Sequence, residues 1–441
     1  METILIQNFK AIKNTAKREI KVANLTLLMG EQATGKSTVA KLIYFFKKLP
    51  EEILNELFNN DTLTEDNFTQ LINKRAWQLF RKLFGSTSID KFSISYTYNN
   101  KLKASLQKAD GYGRLNMNWS NDLYELREQT LPIVNEIRKI YIKFDNDSRR
   151  EYERLANILS GKVKLFFGVD QQILYTPASR NMIVLLEDYL VEIISKIEQN
   201  NKLSFDPSEN SYLILDFVNH IRYIKSRMKL KSFEQLITEN FNHFGKNSTH
   251  EDLLKNISKI LKGRYFNHSD GEILYYDDEN YIFLTNASSG QQEVIRIIQD
   301  IFLEILEGKP IFRVYEEPES HLSPVGQLGI IQLIAMLANR NPDNQIIIPT
   351  HTPYLLREVS NMLKANKVAE AQPELKEEVS KILKPFYWLD MQSVNAYQLT
   401  REGEIEDVKD EEYQMIDGEL FDRVTNDISD QLDRLLSLQY E

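Results

Sequence analysis

The 441-residue sequence contains no cysteine, which excludes disulfides, thiolate nucleophiles, cysteine-based zinc sites and iron–sulfur clusters. It also contains no uncharged apolar run approaching the roughly 18 residues that a membrane helix needs. The N-terminus, METILIQNFK, lacks the basic region, apolar run and cleavage site of a signal peptide. We therefore expect a cytoplasmic protein without a membrane span.

The charge is distributed unevenly along the chain. The net charge is −10, and residues 401–441, with fourteen acidic and four basic side chains, carry all of it. This balance argues against indiscriminate nucleic-acid binding, although a local basic face could still bind phosphate. With 42% hydrophobic and 10% aromatic residues, the composition is typical of a folded protein, and the length allows two or three structural units.

Strand-like and helix-like segments alternate along the chain and predict an α/β fold. We expect the segments 1–120 and 263–400 to form two halves of one head. The first half should contain a β-hairpin over 92–106, and the second half another over 265–276. The segment 121–262 should be a mainly helical insertion crossed by a strand near 173–176. The acidic segment 401–441 is expected to end in an amphipathic helix that packs on the head, although it could instead dock a basic effector or trigger protein. Pro50 is expected to end the helix that begins at Lys36.

The strongest motif follows a predicted strand and precedes a predicted helix. Residues 30–37, GEQATGKS, fit the pattern G-x-x-x-x-G-K-[ST] of a phosphate-binding loop (P-loop), in which glycines let backbone N–H groups face phosphate. In this pattern Lys36 reaches the β- and γ-phosphates and Ser37 binds Mg²⁺. The predicted nucleotide-binding residues of this segment are Gly30, Glu31, Gln32, Ala33, Thr34, Gly35, Lys36, Ser37 and Thr38.

Three further motifs follow in the second half of the chain. The β-branched strand 311–315 ends at Glu316 and Glu317, and a P-loop enzyme can use one such carboxylate for metal and the other for water. Residues 286–293, NASSGQQE, offer hydroxyls and a glycine at a helix start, which suits either an anion site or an ordinary helix cap. The apolar strand 346–348 leads to His351, which is either structural or functional.

The four motifs, in this order, resemble the ABC-type ATPase heads of the SMC, RecF and OLD clan. The resemblance implies ATP and Mg²⁺ as cofactors, with Lys36 and Ser37 on phosphate and metal, Glu316 on metal, Glu317 as the catalytic glutamate and His351 as the switch histidine. It also implies a homodimer or higher homo-oligomer in which the signature motif of one copy closes over the ATP of the other. The signature residues are Ser288, Ser289, Gly290 and Gln291.

The sequence departs from this clan in two of its motifs. Glu316 stands where most ABC enzymes have Asp, and Ser289 stands where a first glycine is usual. The segment between Ser37 and Gly290 lacks the sustained heptads of a long coiled-coil arm, and without cysteine it cannot form a zinc hook.

Residues 175–180, YTPASR, resemble the Pro-Ala-x-Arg element of compact anti-phage defence ATPases, namely OLD, Septu and the PARIS ATPase subunit. Arg180 either contacts the nucleotide or signals between lobes, or is a solvent-exposed arginine in a turn. No Asp-x-Asp cluster of a Toprim nuclease follows His351.

The resemblance therefore implies an ATPase that senses a trigger, which could be phage-derived, and controls a separately encoded effector nuclease, for example of Toprim or HNH type. A RecF-like DNA-repair ATPase is the alternative, because five basic residues lie within ten positions free of acid. They are Arg222, Lys225, Arg227, Lys229 and Lys231. A solvated helix face or a subunit contact would explain them as well. An effector active site of unrecognised form within this chain is a third possibility.

Overall fold

The computed structural model describes residues 1–14, 19–85, 91–108, 115–120, 123–141, 146–178, 211–239 and 249–440, together with positions 180, 183 and 189. Its first seven strands lie between Thr3 and Trp119, and the others lie between Gln172 and Ile416. The strands are β1 (Thr3–Phe9), β2 (Ile12–Asn14), β3 (Ile20–Lys21), β4 (Leu25–Met29), β5 (Phe92–Thr97), β6 (Lys103–Lys108), β7 (Asn116–Trp119), β8 (Gln172–Thr176), β9 (Arg264–His268), β10 (Gly271–Tyr275), β11 (Tyr281–Phe283), β12 (Ile311–Tyr315), β13 (Gln345–Pro349), β14 (Val394–Leu399), β15 (Ile405–Asp407), β16 (Lys409–Asp410) and β17 (Met415–Ile416).

Helices fill most of the connections between these strands. They are α1 (Lys36–Asn59), α2 (Phe68–Phe84), α3 (Tyr124–Tyr141), α4 (Asn146–Phe167), α5 (Ser211–Arg227), α6 (Phe233–Glu239), α7 (Thr249–Leu261), α8 (Ser289–Glu307), α9 (Pro324–Arg340), α10 (Pro353–Ala371), α11 (Lys376–Ile382) and α12 (Glu419–Tyr440). Within the described ranges, none of these helices combines the length and the apolar character needed to cross a membrane.

A six-stranded sheet in the order β15-β14-β4-β13-β12-β8 forms the centre of the molecule. The pairs from β14 to β8 are parallel, and only β15 is antiparallel to its neighbour. Successive side chains of β13 point to opposite faces: Ile347 belongs to one hydrophobic core, whereas Ile346 and Ile348 belong to another. The sheet is therefore buried on both sides, as parallel sheets usually are, and its strands read as continuous apolar runs.

A second, antiparallel sheet has the order β2-β1-β5-β6-β7, with β3 also paired to β1. The predicted hairpin of β5 and β6 is confirmed, with Phe92 opposite Lys108 and Thr97 opposite Lys103. Strands β9, β10 and β11 form a third sheet that contains the other predicted hairpin. The α/β P-loop fold expected from the sequence is confirmed.

The helices of the segment 121–262 are divided between the two cores. Leu131 and Leu159, from α3 and α4, pack in the same core as α1 and α2. Ile224 and Leu253, from α5 and α7, pack with α8 and α9 in the other core. Strand β8 of this segment completes the central sheet at its edge.

Pro50 does not end α1, which continues to Asn59 with Pro50 inside it. A proline within a helix removes the N–H that would bond the carbonyl four residues earlier, here that of Phe46. The Tyr98 hydroxyl donates a hydrogen bond to this carbonyl at 2.7 Å. Because this carbonyl has a partner and Ile53 and Leu57 are buried beyond the proline, the helix extends by two further turns.

The C-terminal helix was expected to pack on the head, and this prediction is wrong for its described side chains. All side chains from 426 to 438 are exposed, including Ile428 and Leu435. The helix itself forms over Glu419–Tyr440, as its amphipathic pattern predicts.

Candidate active site

The predicted site residues lie at the carboxyl ends of neighbouring parallel strands. The P-loop follows β4, the two glutamates follow β12, and His351 follows β13. These three strands are adjacent in the central sheet, in the order β4-β13-β12. Since ligands of open parallel sheets bind outside the carboxyl ends of the strands, the fold gathers the motifs at the edge where such sites occur.

The P-loop backbone has the left-handed turns that a phosphate cradle requires. Gly30, Ala33 and Gly35 have φ angles of 140°, 66° and 100°. Lys36 is buried and donates hydrogen bonds from Nζ to the carbonyls of Gly30 at 2.7 Å and Glu31 at 2.6 Å. Successive N–H groups in such turns can face an anion at the start of α1.

The P-loop rests against the end of β14 and the turn that follows it. A Cβ atom on Gly30 would lie 2.3 Å from the Leu399 carbonyl oxygen, so only glycine fits there. Beyond the strand, Arg401 donates from Nε to the Glu31 carboxylate at 2.6 Å. The first part of the acidic C-terminal segment therefore supports the P-loop.

Several carboxylates surround the Lys36 ammonium. Burial lowers the pKa of Lys36, and the negative charges of Glu317, Glu319, Glu31 and Glu316 oppose this shift. The structure thus brings Lys36 close to both glutamates predicted from the strand 311–315. Such a concentration of opposite charges is typical of functional sites.

Glu317 has a strained backbone and a hydrogen-bonded carboxylate. Its φ angle is 46°, which is uncommon for a residue with a side chain and often occurs at functional sites. Its Oε1 lies 3.4 Å from His351 Nδ1, and its Oε2 accepts a hydrogen bond from the Ser320 hydroxyl at 3.3 Å. The hydrogen bond with His351 lowers the pKa of Glu317 and raises that of His351.

Glu316 and Ser37 present the oxygen ligands that Mg²⁺ prefers. Glu316 is fixed by its backbone N–H, which donates to the Thr176 carbonyl at 3.0 Å, and by its Oε2, which accepts from the Ala178 N–H at 3.4 Å. Ser37 is half-buried at the start of α1. No group of three or more acidic or histidine side chains in the described ranges could hold a metal alone, so a magnesium ion here would need phosphate and water as further ligands.

Arg180 is completely buried, so the solvent-exposed alternative for this residue is wrong. Its guanidinium donates hydrogen bonds to the backbone carbonyls of Glu316 at 2.6 Å, Glu317 at 2.9 Å and Pro177 at 2.9 Å. It also lies 3.7 Å from the Glu293 carboxylate of α8. Arg180 therefore holds the backbone of Glu316 and Glu317 and connects it to the helix α8.

Comparison with known proteins identifies the family. The family model described as an AAA ATPase domain matches residues 1–356. The chain belongs to this family. It is therefore an ATP-binding ATPase. No curated protein matches the chain significantly.

Solved structures resemble this ATPase at low sequence identity. An Smc head domain with an extended coiled coil bound to the C-terminal domain of ScpA, from Pyrococcus furiosus, is 11% identical, with a TM-score of 0.37 over 97% of this chain and 100% of that one. The SMC head domain from Thermotoga maritima is 11% identical, with a TM-score of 0.33 over 81% and 90%. RecF-ATPrS of the RecFOR pathway is 12% identical, with a TM-score of 0.33 over 92% and 97%.

The signature segment of the ATPase begins α8 with a complete helix cap. The Ser288 hydroxyl accepts a hydrogen bond from the Gln291 N–H at 3.4 Å, and the Gln291 side chain accepts one from the Ser288 N–H at 3.0 Å. Ser288 and Ser289 are exposed, whereas Gly290 is buried. The Ser288 hydroxyl also donates a hydrogen bond to Gln291 Oε1 at 2.9 Å. The capping interpretation of Ser288 is confirmed, and the exposed Ser288 and Ser289 can be reached from outside the chain.

Gly290 is buried because α8 packs directly on the turn after Glu317. A Cβ on Gly290 would lie 2.4 Å from the His321 carbonyl oxygen. In the same turn, His321 Nε2 lies 3.6 Å from Glu293 Oε1. Further along α8, Asp300 accepts a hydrogen bond from Arg313 of β12 at 3.0 Å. The start of α8, the turn after Glu317 and β12 are thus held as one unit.

The sequence did not indicate the contact between Glu319 and Thr350 beside the predicted site. Glu319 is buried beneath the turn, and its carboxylate accepts a hydrogen bond from the Thr350 hydroxyl. Burial raises the pKa of Glu319. The only signal in the sequence was the position of these residues, each within two residues of a predicted site residue. The pair joins the turn after β12 to the turn that carries His351.

Proposed function

We propose that this ATPase hydrolyses ATP in an ABC-type, Mg²⁺-dependent reaction at the P-loop, and that ATP drives engagement of two copies. Ser37 and Glu316 would hold Mg²⁺, which neutralises charge on the transferred phosphoryl group when it is bound. Lys36 would donate to the β- and γ-phosphates, and Glu317 would accept a proton from the attacking water. His351 would orient Glu317 and approach the γ-phosphate.

The contact between Glu317 and His351 is the observation that supports this reaction best. With a pKa below 4.5, Glu317 is ionised at neutral pH, and the contact with His351 fixes its carboxylate in place to accept a hydrogen bond from the attacking water. Arg180 donates a hydrogen bond to the backbone carbonyl of Glu317, and Ser320 donates one to its carboxylate. A carboxylate fixed in this way needs little reorganisation during the reaction.

The proposed dimer is supported by the exposure of the signature hydroxyls. Ser288 and Ser289 are exposed at the N-terminus of α8, where backbone N–H groups favour an anion. In the engaged dimer these groups would contact the ATP held by the P-loop of the second copy. Gly290 and Gln291 would position this helix start from inside the chain.

The first test compares ATP binding and hydrolysis in purified variants. We expect Lys36→Ala to abolish measurable ATP binding. Glu317→Gln should retain binding, lose activity by about 10²-fold or more, and accumulate as an ATP-bound dimer. Glu279→Gln, the same chemical change on an exposed turn, is the matched control and should leave the rate unchanged. Undiminished hydrolysis in Lys36→Ala or Glu317→Gln would refute the proposed site.

We further propose that the ATP cycle holds or releases a separately encoded effector nuclease in anti-phage defence in the cytoplasm. This proposal is supported by the resemblance of residues 177–180 to the defence ATPases and by the buried position of Arg180 beside the catalytic turn. We expect the purified chain with Mg-ATP to leave plasmid DNA and RNA intact. We also expect cells that carry the gene with its flanking genes to lose phage resistance when Glu317→Gln is introduced. Cleavage by the chain alone, or resistance that survives Glu317→Gln, would refute it.

The structure does not favour DNA binding by the basic segment. Three of its five cations lie near carboxylates of the same chain: Lys225 near Glu272, Arg227 near Glu307 and Lys231 near Glu239. Such ion pairs reduce the positive potential that phosphate binding needs. We therefore do not propose a DNA-repair role.

A further inference from the structure

The C-terminal helix α12 exposes a row of large apolar side chains to solvent. Ile428, Leu432 and Leu435 are 62%, 56% and 65% exposed, and Leu436 and Leu438 are also exposed. Single exposed apolar residues are ordinary, but a contiguous row on one helix marks an interaction surface.

Three side chains of this row, Ile428, Leu435 and Leu438, follow the spacing of a two-stranded coiled coil, and Leu432 and Leu436 lie outside its core positions. Ile428 and Leu435 are seven residues apart, and Leu438 follows three residues later, as in the alternating three- and four-residue steps of a heptad repeat. Gln431 takes the remaining core position of the described part. A single polar residue in such a core sets the register of pairing at some cost in stability.

The charges beside the apolar row indicate what pairs with it. Asp427 and Arg434 stand immediately before the core positions Ile428 and Leu435, where coiled-coil charges meet across the interface. In an antiparallel pair with the core layers matched, Asp427 of one helix faces Arg434 of the other, and the two-fold axis repeats this pair. In a parallel pair, Asp427 would face Leu432 and Arg434 would face Gln439. The charges are therefore self-complementary only in the antiparallel arrangement.

We propose that α12 pairs antiparallel with α12 of a second copy of this chain. The contact is isologous, so each helix supplies one aspartate and one arginine to the partner helix. It needs no nucleotide and goes beyond ATP-driven engagement of the heads. When two chains are joined through α12, engagement of their heads becomes an intramolecular step. The effective concentration of each head near the other is then higher than for separate chains.

The test is sedimentation velocity of the nucleotide-free full chain over a range of protein concentrations. A two-stranded pair of 22-residue helices is short, so we expect a reversible monomer–dimer equilibrium rather than a permanent dimer. Asp427→Arg should weaken dimerisation about tenfold, because two attractive pairs become repulsive. Combining Asp427→Arg with Arg434→Asp should restore it. Asp433→Arg, the same charge change on the opposite side of the helix, is the matched control.

A second experiment distinguishes antiparallel from parallel pairing. The chain has no cysteine, so a single introduced thiol reports one position. In the antiparallel pair, Gln431 of one helix lies near Gln431 of the other, whereas the two Leu438 positions are about 25 Å apart along the axis. We expect Gln431→Cys, but not Leu438→Cys, to form a dimer with a short thiol cross-linker.

Three results would overturn the proposal. The first is a wild-type chain that stays monomeric at all concentrations. The second is an Asp433→Arg variant as weak as Asp427→Arg, or a charge exchange that fails to restore the dimer. The third is efficient cross-linking through Leu438→Cys. Unchanged helix content by circular dichroism ensures that each variant retains α12. Because no nucleotide is present, a failure here leaves the proposed ATP reaction untouched.

Discussion

Glu317 and His351 form the most informative pair of single residues in the site. The pKa of Glu317 is lowered from its ordinary value of 4.5, so any stabilisation from the carboxylate is present above 4.5 and lost as the pH falls through the lowered pKa. The pKa of His351 is raised from 6.5, so stabilisation from the imidazolium is present below 6.5 and lost as the pH rises through the raised pKa. The pair therefore contributes fully only between these two ordinary values. Its contribution is small because His351 is more than half exposed.

The titration of His351 provides a direct measurement of this pair. We expect the pKa of His351, followed by NMR of its ring protons, to lie above 6.5 in the wild type and to fall in Glu317→Gln, because the neutral amide no longer stabilises the imidazolium. Glu279→Gln should not change it. Six histidines are few enough to assign the resonance by substitution. An unchanged pKa in Glu317→Gln would show that the two side chains do not interact in solution.

At the residue scale, the sequence predicted the groups placed by local motifs but not those placed by tertiary packing. Lys36 and Glu317 follow buried strands within recognisable patterns, so their types and positions could be read directly. The hydrogen bonds of Arg180 could not be predicted in this way. They depend on the pairing of β8 with β12, and these two strands are more than 130 residues apart in the sequence. The same is true of Glu319 and Thr350, which become partners only when β12 and β13 pair.

At the scale of elements, α1 shows how tertiary structure overrides a local signal. A proline normally interrupts a helix because it leaves a carbonyl without its donor. The Phe46 carbonyl instead accepts a hydrogen bond from the hydroxyl of Tyr98, which lies in the loop between β5 and β6. The sequence could predict the start of α1 and the hairpin separately. It could not predict that one would supply the donor missing from the other.

A double-mutant cycle tests this explanation. We expect Tyr98→Phe to lower the free energy of unfolding by about 1–2 kcal/mol, because a buried carbonyl loses its donor. In a Pro50→Ala background the loss should be smaller, since the new backbone N–H can bond the same carbonyl. Chemical denaturation of the four proteins gives the coupling energy. Tyr276→Phe, on an exposed tyrosine, is the control. Equal losses in both backgrounds would contradict the explanation.

At the scale of the whole molecule, one sheet separates two hydrophobic cores and belongs to both. Strands β4, β12, β13 and β14 each send alternate side chains into each core. The sequence predicted an α/β fold from these apolar runs. It divided the chain at 120 and 262, however, because helical periodicity does not reveal which side of a sheet a helix covers. The segment 121–262 contributes to both sides.

This shared sheet predicts that the head unfolds in one transition. Ile347→Val and Ile348→Val, on opposite faces of β13, should each lower the free energy of unfolding by about 0.5–1.5 kcal/mol and shift the same transition. Trp119 in the first core and Trp388 near the second report on the two sides. Fluorescence of single-tryptophan variants, compared with circular dichroism, should give coincident curves. Two separated transitions, each sensitive to only one substitution, would contradict this prediction.

The contact between Gly30 and the Leu399 carbonyl has a consequence for synthesis on the ribosome. Strand β4 pairs only with β13 and β14 in the central sheet, and both are translated more than 300 residues after it. The P-loop therefore leaves the ribosome well before its strand neighbours and before the backbone against which it rests. We infer that a nascent chain cannot form the complete nucleotide site until translation has passed residue 399, so incomplete chains would not compete for ATP.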